Sequence, residues 1–362
     1  ALQDGAVELP GVLPEPVVAV DRLAGDVQWR VAGERIGVNV KNLELSNADV
    51  QARGELAWNT GEGARGRFPG VLDLNVDVAR AEGARVWRYL PTVVPREARD
   101  YVRQTVLGGR ALDGRIRVRG DLHDFPFPER RGGEFRISAQ VRDATYAFAP
   151  ASLVPVESGQ WPVLTQLSGE LVFEGNGMRV RNAQGRFAGV AGLQVQADAA
   201  IADLHASTVT VSGLVRGPLS ESLSVFNATP VAVSIGRPLA QASATGAGEV
   251  RLRLSLPVAQ LDRSRVQGSV ALSGNDVRIR PDVPLLQAAR GTVNFSDTGF
   301  TLAGVQARAL GGELRAEGGT RSSLPAGSAE APTVFRIQGT ASAGGPRPAA
   351  GPSARPRRRR AA

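Results

Sequence analysis

The sequence predicts a mainly β fold: an elongated antiparallel sheet carrying two short helices. Three observations predict it. Apolar side chains recur at every second position in stretch after stretch, helical periodicity occurs in two segments, and a sixteen-residue pattern returns 122 residues further on.

A period of two sends alternate side chains to opposite faces of a strand, so each alternating run defines one apolar and one polar face. In LDLNVDV the apolar set is Leu72, Leu74, Val76 and Val78, with Asp73, Asn75 and Asp77 between them. After Pro95 the pattern changes. Ala98, Tyr101, Val102, Thr105 and Val106 fall on one helical stripe, which predicts a helix from Glu97 to Leu107 stopped by Gly108. Alternation resumes in RIRVR through Ile116 and Val118, and in EFRISAQVR through Phe135, Ile137, Ala139 and Val141. LQVQADA adds Leu193, Val195 and Ala197. Pro218 opens a shorter helical stripe of Leu219, Leu223 and Phe226, which Pro230 is expected to end. VRLRLSL then returns to the strand pattern with Val250, Leu252, Leu254 and Leu256. No strand–helix–strand alternation runs through the chain, which argues against a parallel α/β fold.

The repeat aligns PVLTQLSGELVFEGNG, from Pro162, with PLLQAARGTVNFSDTG, from Pro284, without gaps. It brings Gly169, Phe173 and Gly177 onto Gly291, Phe295 and Gly299, and GELAW at 54–58 echoes the glycine-to-aromatic step. Such a pattern fits a stack of similar β units in which each covers its neighbour's edge. The body is expected to span residues 1–340. The remainder, 341–362, is rich in Pro, Ala and Arg, lacks periodicity and is expected to be disordered.

The formal charge of +8 is mainly a property of that tail, because Arg355 and Arg357 to Arg360 account for five of it. The body holds one lysine, and no aromatics are interleaved with the terminal arginines, so specific nucleic-acid binding is not expected. With no cysteine and two histidines, His123 and His205, the chain offers little for a nucleophile, a triad or a zinc site. No G-x-S-x-G elbow and no phosphate-cradling glycine loop occurs, so neither an enzyme nor a cofactor is expected. No apolar run approaches the roughly 18 residues of a spanning helix, and no secretion signal is visible. The sequence therefore reads as a segment of a longer protein.

RGDLHDFPF, residues 119–127, invites a metal or an adhesion reading. The residues favour a plainer one: Gly120-Asp121 is a turn signal, and Pro126 between two phenylalanines marks an exit from a strand.

The order of these pieces resembles a known family. RYLP (88–91), EARDYVRQTVLGG, DGRIRVRGDLHDFPF, GGEFRISAQVRDATYAFAP, WPVL from Trp161, GELVFEGNGMRVRNAQGRFAGV and SLSVFNATPVA from Ser222 are together similar to the central periplasmic part of AsmA-like proteins of Gram-negative bacteria. The similarity covers about residues 20–320. The resemblance implies a long, curved β-groove, open along an apolar concave face, that carries phospholipid across the periplasm. It implies phospholipids as partners, and the inner and outer membranes as contacts made through parts absent from this chain. It also implies a periplasmic location with an inner-membrane tether outside this segment.

On that reading the groove is lined by Leu72, Leu74, Val76, Val78, Ile116, Val118, Phe135, Ile137, Val141, Leu171, Phe173, Leu193, Val195, Val250, Leu252, Leu254, Phe295 and Leu302. Trp87, Tyr89, Trp161 and the first helix are expected to plug or cap the sheet. The shortage of helices to cover so many amphipathic strands suits an open groove. Two sheets packed face to face, a structural or adhesive scaffold with a filled interior, would satisfy the same pattern.

Overall fold

A computed structural model describes residues 1–63, 65–150, 159–206, 208–234, 236–257, 260, 263–320 and 333–340. The tail expected to be disordered, 341–362, lies outside the described residues.

The chain forms β1 (Leu2–Glu8), β2 (Val17–Ala32), β3 (Arg35–Ser46), β4 (Val50–Asn59), β5 (Val71–Glu82), β6 (Val106–Asp121), β7 (Gly133–Tyr146), β8 (Leu164–Glu174) and β9 (Gly177–Phe187). It continues with β10 (Val190–Ile201), β11 (Thr208–Pro218), β12 (Ser243–Ala244), β13 (Ala247–Pro257), β14 (Arg265–Arg278), β15 (Leu286–Ser296), β16 (Gly299–Ala309), β17 (Gly312–Thr320) and β18 (Thr333–Gly339). Each strand pairs antiparallel with the next, except that the short β12 and the long β13 share one position beside β14. The result is one open antiparallel sheet. Among the described residues β1 pairs only with β2 and β18 only with β17, so the sheet does not close.

The two predicted helices are present with shifted ends. The first, α1 (Arg96–Thr105), stops earlier than expected, because Val106, Leu107 and Gly108 already belong to β6. The second, α2 (Leu219–Ala228), follows Pro218 as expected, but Pro230 does not end helical structure. It begins a five-residue helix, α3 (Pro230–Ser234), as a proline can in a first turn where no N–H partner is needed. Short 3₁₀ turns at Gly83–Tyr89, Leu122–Asp124 and Pro128–Arg130 lack the length to leave a periodic signature. In RGDLHDFPF, Gly120 and Asp121 are still paired in β6 and the turn begins at Leu122.

A meander has two rims, and here they differ. The helices α1, α2 and α3 and the turn at Gly83–Tyr89 all lie on one rim, after β5 and β11. The other rim carries the shorter turns that follow β2, β6, β8, β10 and β15. The repeat is exact at the level of elements: β8 and β9 shifted by 122 residues give the bounds of β15 and β16.

Six strands of the sheet are each kinked by a non-glycine residue in the left-handed region. Asn42 (φ 50°), Asp113 (51°), Asp143 (51°), Gln166 (53°), Asn182 (51°) and Ala288 (49°) each sit at or beside a register shift. An extra residue on one strand bends it and raises local twist, which is how a sheet of this width curves. Asp and Asn tolerate that conformation best. Neighbouring aspartates brace two of the kinks: Asp198 Oδ1 accepts from Asn182 N (2.8 Å) and Asp276 Oδ1 from Ala288 N (2.9 Å).

Candidate apolar binding face

Residues directly opposed on antiparallel strands project to the same face. Val76, Ile116, Ile137 and Phe173 are opposed in turn, and the row continues through Met178, Ile201, Val209 and Leu256. Leu74, Val118 and Phe135 form the row beside it. Leu171 leads through Val180, Ala199 and Val211 to Leu254. Val195, Val215, Val250, Val270, Val293 and Leu302 make a further row, and Leu252, Gly268 and Phe295 another. Leu72 and Val78 alternate with Leu74 and Val76, Val141 follows Ile137 by two pleats, and Leu193 precedes Val195 by one. All the residues predicted to line the groove therefore share one face.

The opposite face is charged. Asp73 takes an ion pair from Arg117 and another from Arg119 at 3.7 Å. Glu174 sits among Arg130, Arg136 (3.5 Å) and Arg179 (3.7 Å), and the Arg130 hydrogen bond is the main cause holding its carboxyl below the usual range. Glu249 joins Arg216 (3.0 Å) and Arg251 (2.7 Å). These pairs offset like charges that the register would otherwise leave opposed, such as Arg117 and Arg136.

Burial separates an open face from a filled one. Of the predicted groove residues only Val118 and Leu193 are fully buried; the others are half-buried and keep some surface in contact with solvent. Among the described residues the cover seen is local and lies at the rims. Phe127, 1 % exposed, lies over the opposed pair Gly120 and Gly133, where a Cβ on Gly120 would come within 2.9 Å of its ring. Phe125 packs on Phe135 with centroids 4.9 Å apart. Leu219 of α2 occupies the space a side chain at Gly248 would need.

The expected plugs sit on the helical rim. Arg103 of α1 lies 4.7 Å over the Trp87 ring, Trp161 packs on Phe148 at 5.3 Å, and Tyr89 Oη receives a hydrogen bond from Asn47 Nδ2. Tyr101 of α1 donates to Phe148 O (2.8 Å) and shares a hydrogen bond with Tyr146 (3.0 Å). Burial pushes the Tyr146 hydroxyl well above its ordinary range.

A cavity of about 840 Å³ runs across β9 to β15. Ala183, Ala197, Gly213, Leu252, Gly268 and Phe295, opposed in turn, form the centre line of its wall. The sequence reading missed Val27, Trp29 and Val31 on β2, which oppose Val40, Val38 and Ile36. Trp29 is 74 % exposed. Their alternation in VQWRV was the available signal.

A family model described as "YhdP protein" matches residues 1–355. The chain belongs to the YhdP family. This bears out the AsmA-like resemblance. The chain is 24 % identical over 270 residues to a protein of Escherichia coli (strain K12) named "Intermembrane phospholipid transporter YhdP", an alignment covering 74 % of this chain and 20 % of that relative. It thus spans about a fifth of the relative's length. No solved structure matches. Among the described residues no His, Asp and Glu side chains gather in threes as a metal site, and no helix is long and apolar enough to cross a membrane.

Proposed function

We propose that residues 1–340 form one segment of a periplasmic bridge whose apolar face shields phospholipid acyl chains between the inner and outer membranes. The reading places the segment in the periplasm, with membrane contacts and an inner-membrane tether made by other parts of a longer protein. One observation carries it: the amphipathic strands turn their apolar side chains to one face on which most of them are half-buried rather than fully packed away. The family and the named activity of the Escherichia coli relative support the choice of phospholipid.

The energetics explain why such a face is useful. A phospholipid carries about 30 methylenes, and at ~0.8 kcal/mol each their exposure to water costs on the order of 20 kcal/mol. Unshielded transfer would be negligibly slow. A continuous apolar face lowers that cost at every position, and near-equivalent rows let the tails slide without a deep binding minimum. No catalytic group is required.

Photo-crosslinking residues placed singly at Val76 and Leu252, with purification in mild detergent and mass spectrometry, test the reading. Adducts with phospholipid are expected. Adducts with protein neighbours alone would favour a packed scaffold instead.

A further inference from the structure

The excursion between β5 and β6 straps the helical rim. Arg88 fixes its first turn by joining Glu15 and Asp49 at 2.7 Å each. Thr92 N then donates to Val12 O at 2.8 Å, in the connection between β1 and β2. From there α1 leads to the end of β7, where Tyr101 bonds Tyr146 Oη and Phe148 O. Tyr146 opposes Val106 and Leu164 in the apolar rows, so α1 caps that face at its rim. The inward stripe of the helix is sealed at Thr105, 0 % exposed, whereas Ala98 on the same stripe is exposed. Solvent therefore reaches the underside of the first turn, beside Arg99.

Two guanidinium groups of α1 have no counter-charge. The carboxylates of the strap are engaged by other arginines: Asp100 by Arg96 at 3.4 Å, Glu82 by Arg80 at 2.7 Å, and Glu15 and Asp49 by Arg88. Among the described residues no ion pair joins Arg99 or Arg103 to a carboxylate, and Arg99 Nη1 is buried without a hydrogen-bond partner. A buried charged donor with no acceptor is destabilising. Arg103 lies 4.7 Å over the Trp87 ring, a contact that holds its charge in place without neutralising it. The two arginines are four residues apart, so their Cβ atoms are about 5–6 Å from one another on one side of the helix, where like charges repel. An anion between them relieves both penalties. Phosphate suits the pair, because its oxygens accept the fork of N–H donors that a guanidinium presents.

We propose that Arg99 and Arg103 form a headgroup clamp, in which the two guanidinium groups hydrogen-bond the phosphate oxygens of a lipid whose acyl chains lie on the apolar face beneath α1. The assignment rests on the lipid reading of that face. Both donors are charged at every physiological pH, and the cap brings them to the face through Tyr101. A lipid headgroup and free phosphate offer the same oxygens, and the test separates them.

Binding of dihexanoyl phosphatidylglycerol, dihexanoylglycerol and inorganic phosphate to the full chain is measured by calorimetry, alongside urea unfolding. The phospholipid is expected to bind most tightly of the three. Arg99→Leu with Arg103→Gln should weaken it about tenfold and leave dihexanoylglycerol unchanged. Arg115→Gln, on the charged face, should change neither. Because the Arg99 donor has no partner in the fold, Arg99→Leu should not lower the urea midpoint in the absence of lipid. A lower midpoint means that the guanidinium is already engaged within the protein, and overturns the clamp. So does a loss of phospholipid binding equal to that of Arg115→Gln. Inorganic phosphate binding as tightly as the phospholipid overturns the headgroup assignment. Phospholipid that crosslinks at Val76 with unchanged affinity in the double variant overturns the clamp and leaves the face intact as a lipid site. Absence of binding by either lipid overturns both.

Discussion

Gly268 stands opposite Phe295 across β14 and β15, and a Cβ at Gly268 would fall 2.5 Å from Phe295 Cζ. The glycine supplies the floor on which the ring lies. Gly268→Ala forces the ring or the strand to move, and overpacking of this kind costs about 1–3 kcal/mol. Urea unfolding should show a lower midpoint with an unchanged slope. A midpoint equal to the parent's would mean that the ring has free space elsewhere.

Val76 and Asn75 are adjacent in β5 and face opposite ways. Val76→Asp places a carboxylate among acyl chains, and a penalty of about 1–3 kcal/mol for an unpaired polar group predicts roughly tenfold weaker lipid retention. Asn75→Asp, on the charged face, should leave retention unchanged. Equal losses from both would detach lipid binding from the face that the register defines.

Burial raises the hydroxyls of all three tyrosines above their ordinary range. For a group raised in the folded state, the stabilisation is complete below the unfolded value and declines as pH climbs above it. Stability should therefore hold up to about pH 10 and drop beyond it, with phenolate absorbance lagging behind that of free tyrosine. Tyr101→Phe removes the bonds to Tyr146 and Phe148 and should cost about 1–2 kcal/mol near neutrality. Phenolate absorbance rising at the free-tyrosine pH in the folded protein would contradict this packing.

Glu174 is lowered in the folded state, so its contribution is present above about pH 4.5 and fades as pH falls through the folded value. Because its arginine partners are largely solvated, Glu174→Gln should cost at most about 1 kcal/mol at pH 7 and low salt. The difference should vanish in acid and shrink in high salt. A salt-independent loss would instead point to packing of the side chain.

The apolar face was legible because a period of two survives in a single sequence: Leu72 to Val78 and Val250 to Leu256 needed no partner strand to be recognised. Its continuity was not, since opposition of Val76 to Ile116 or Phe173 to Met178 depends on register. The kinks hid the rest. At Asp143 the apolar parity passes from Val141 to Ala144 and Tyr146, and a strict alternation loses the strand there.

The 122-residue offset has a geometric consequence. From β8 through β9, β10, β11, β13 and β14 to β15 the chain advances an even number of ladder positions, so both copies run in the same direction and present the same rim. Each duplication of such a unit would lengthen the molecule by about 29 Å at the ordinary strand spacing, without reversing the strand direction or exchanging the rims. Length thus becomes a matter of counting units, and a sheet of this design can be made longer or shorter by copying or deleting a stretch of its gene.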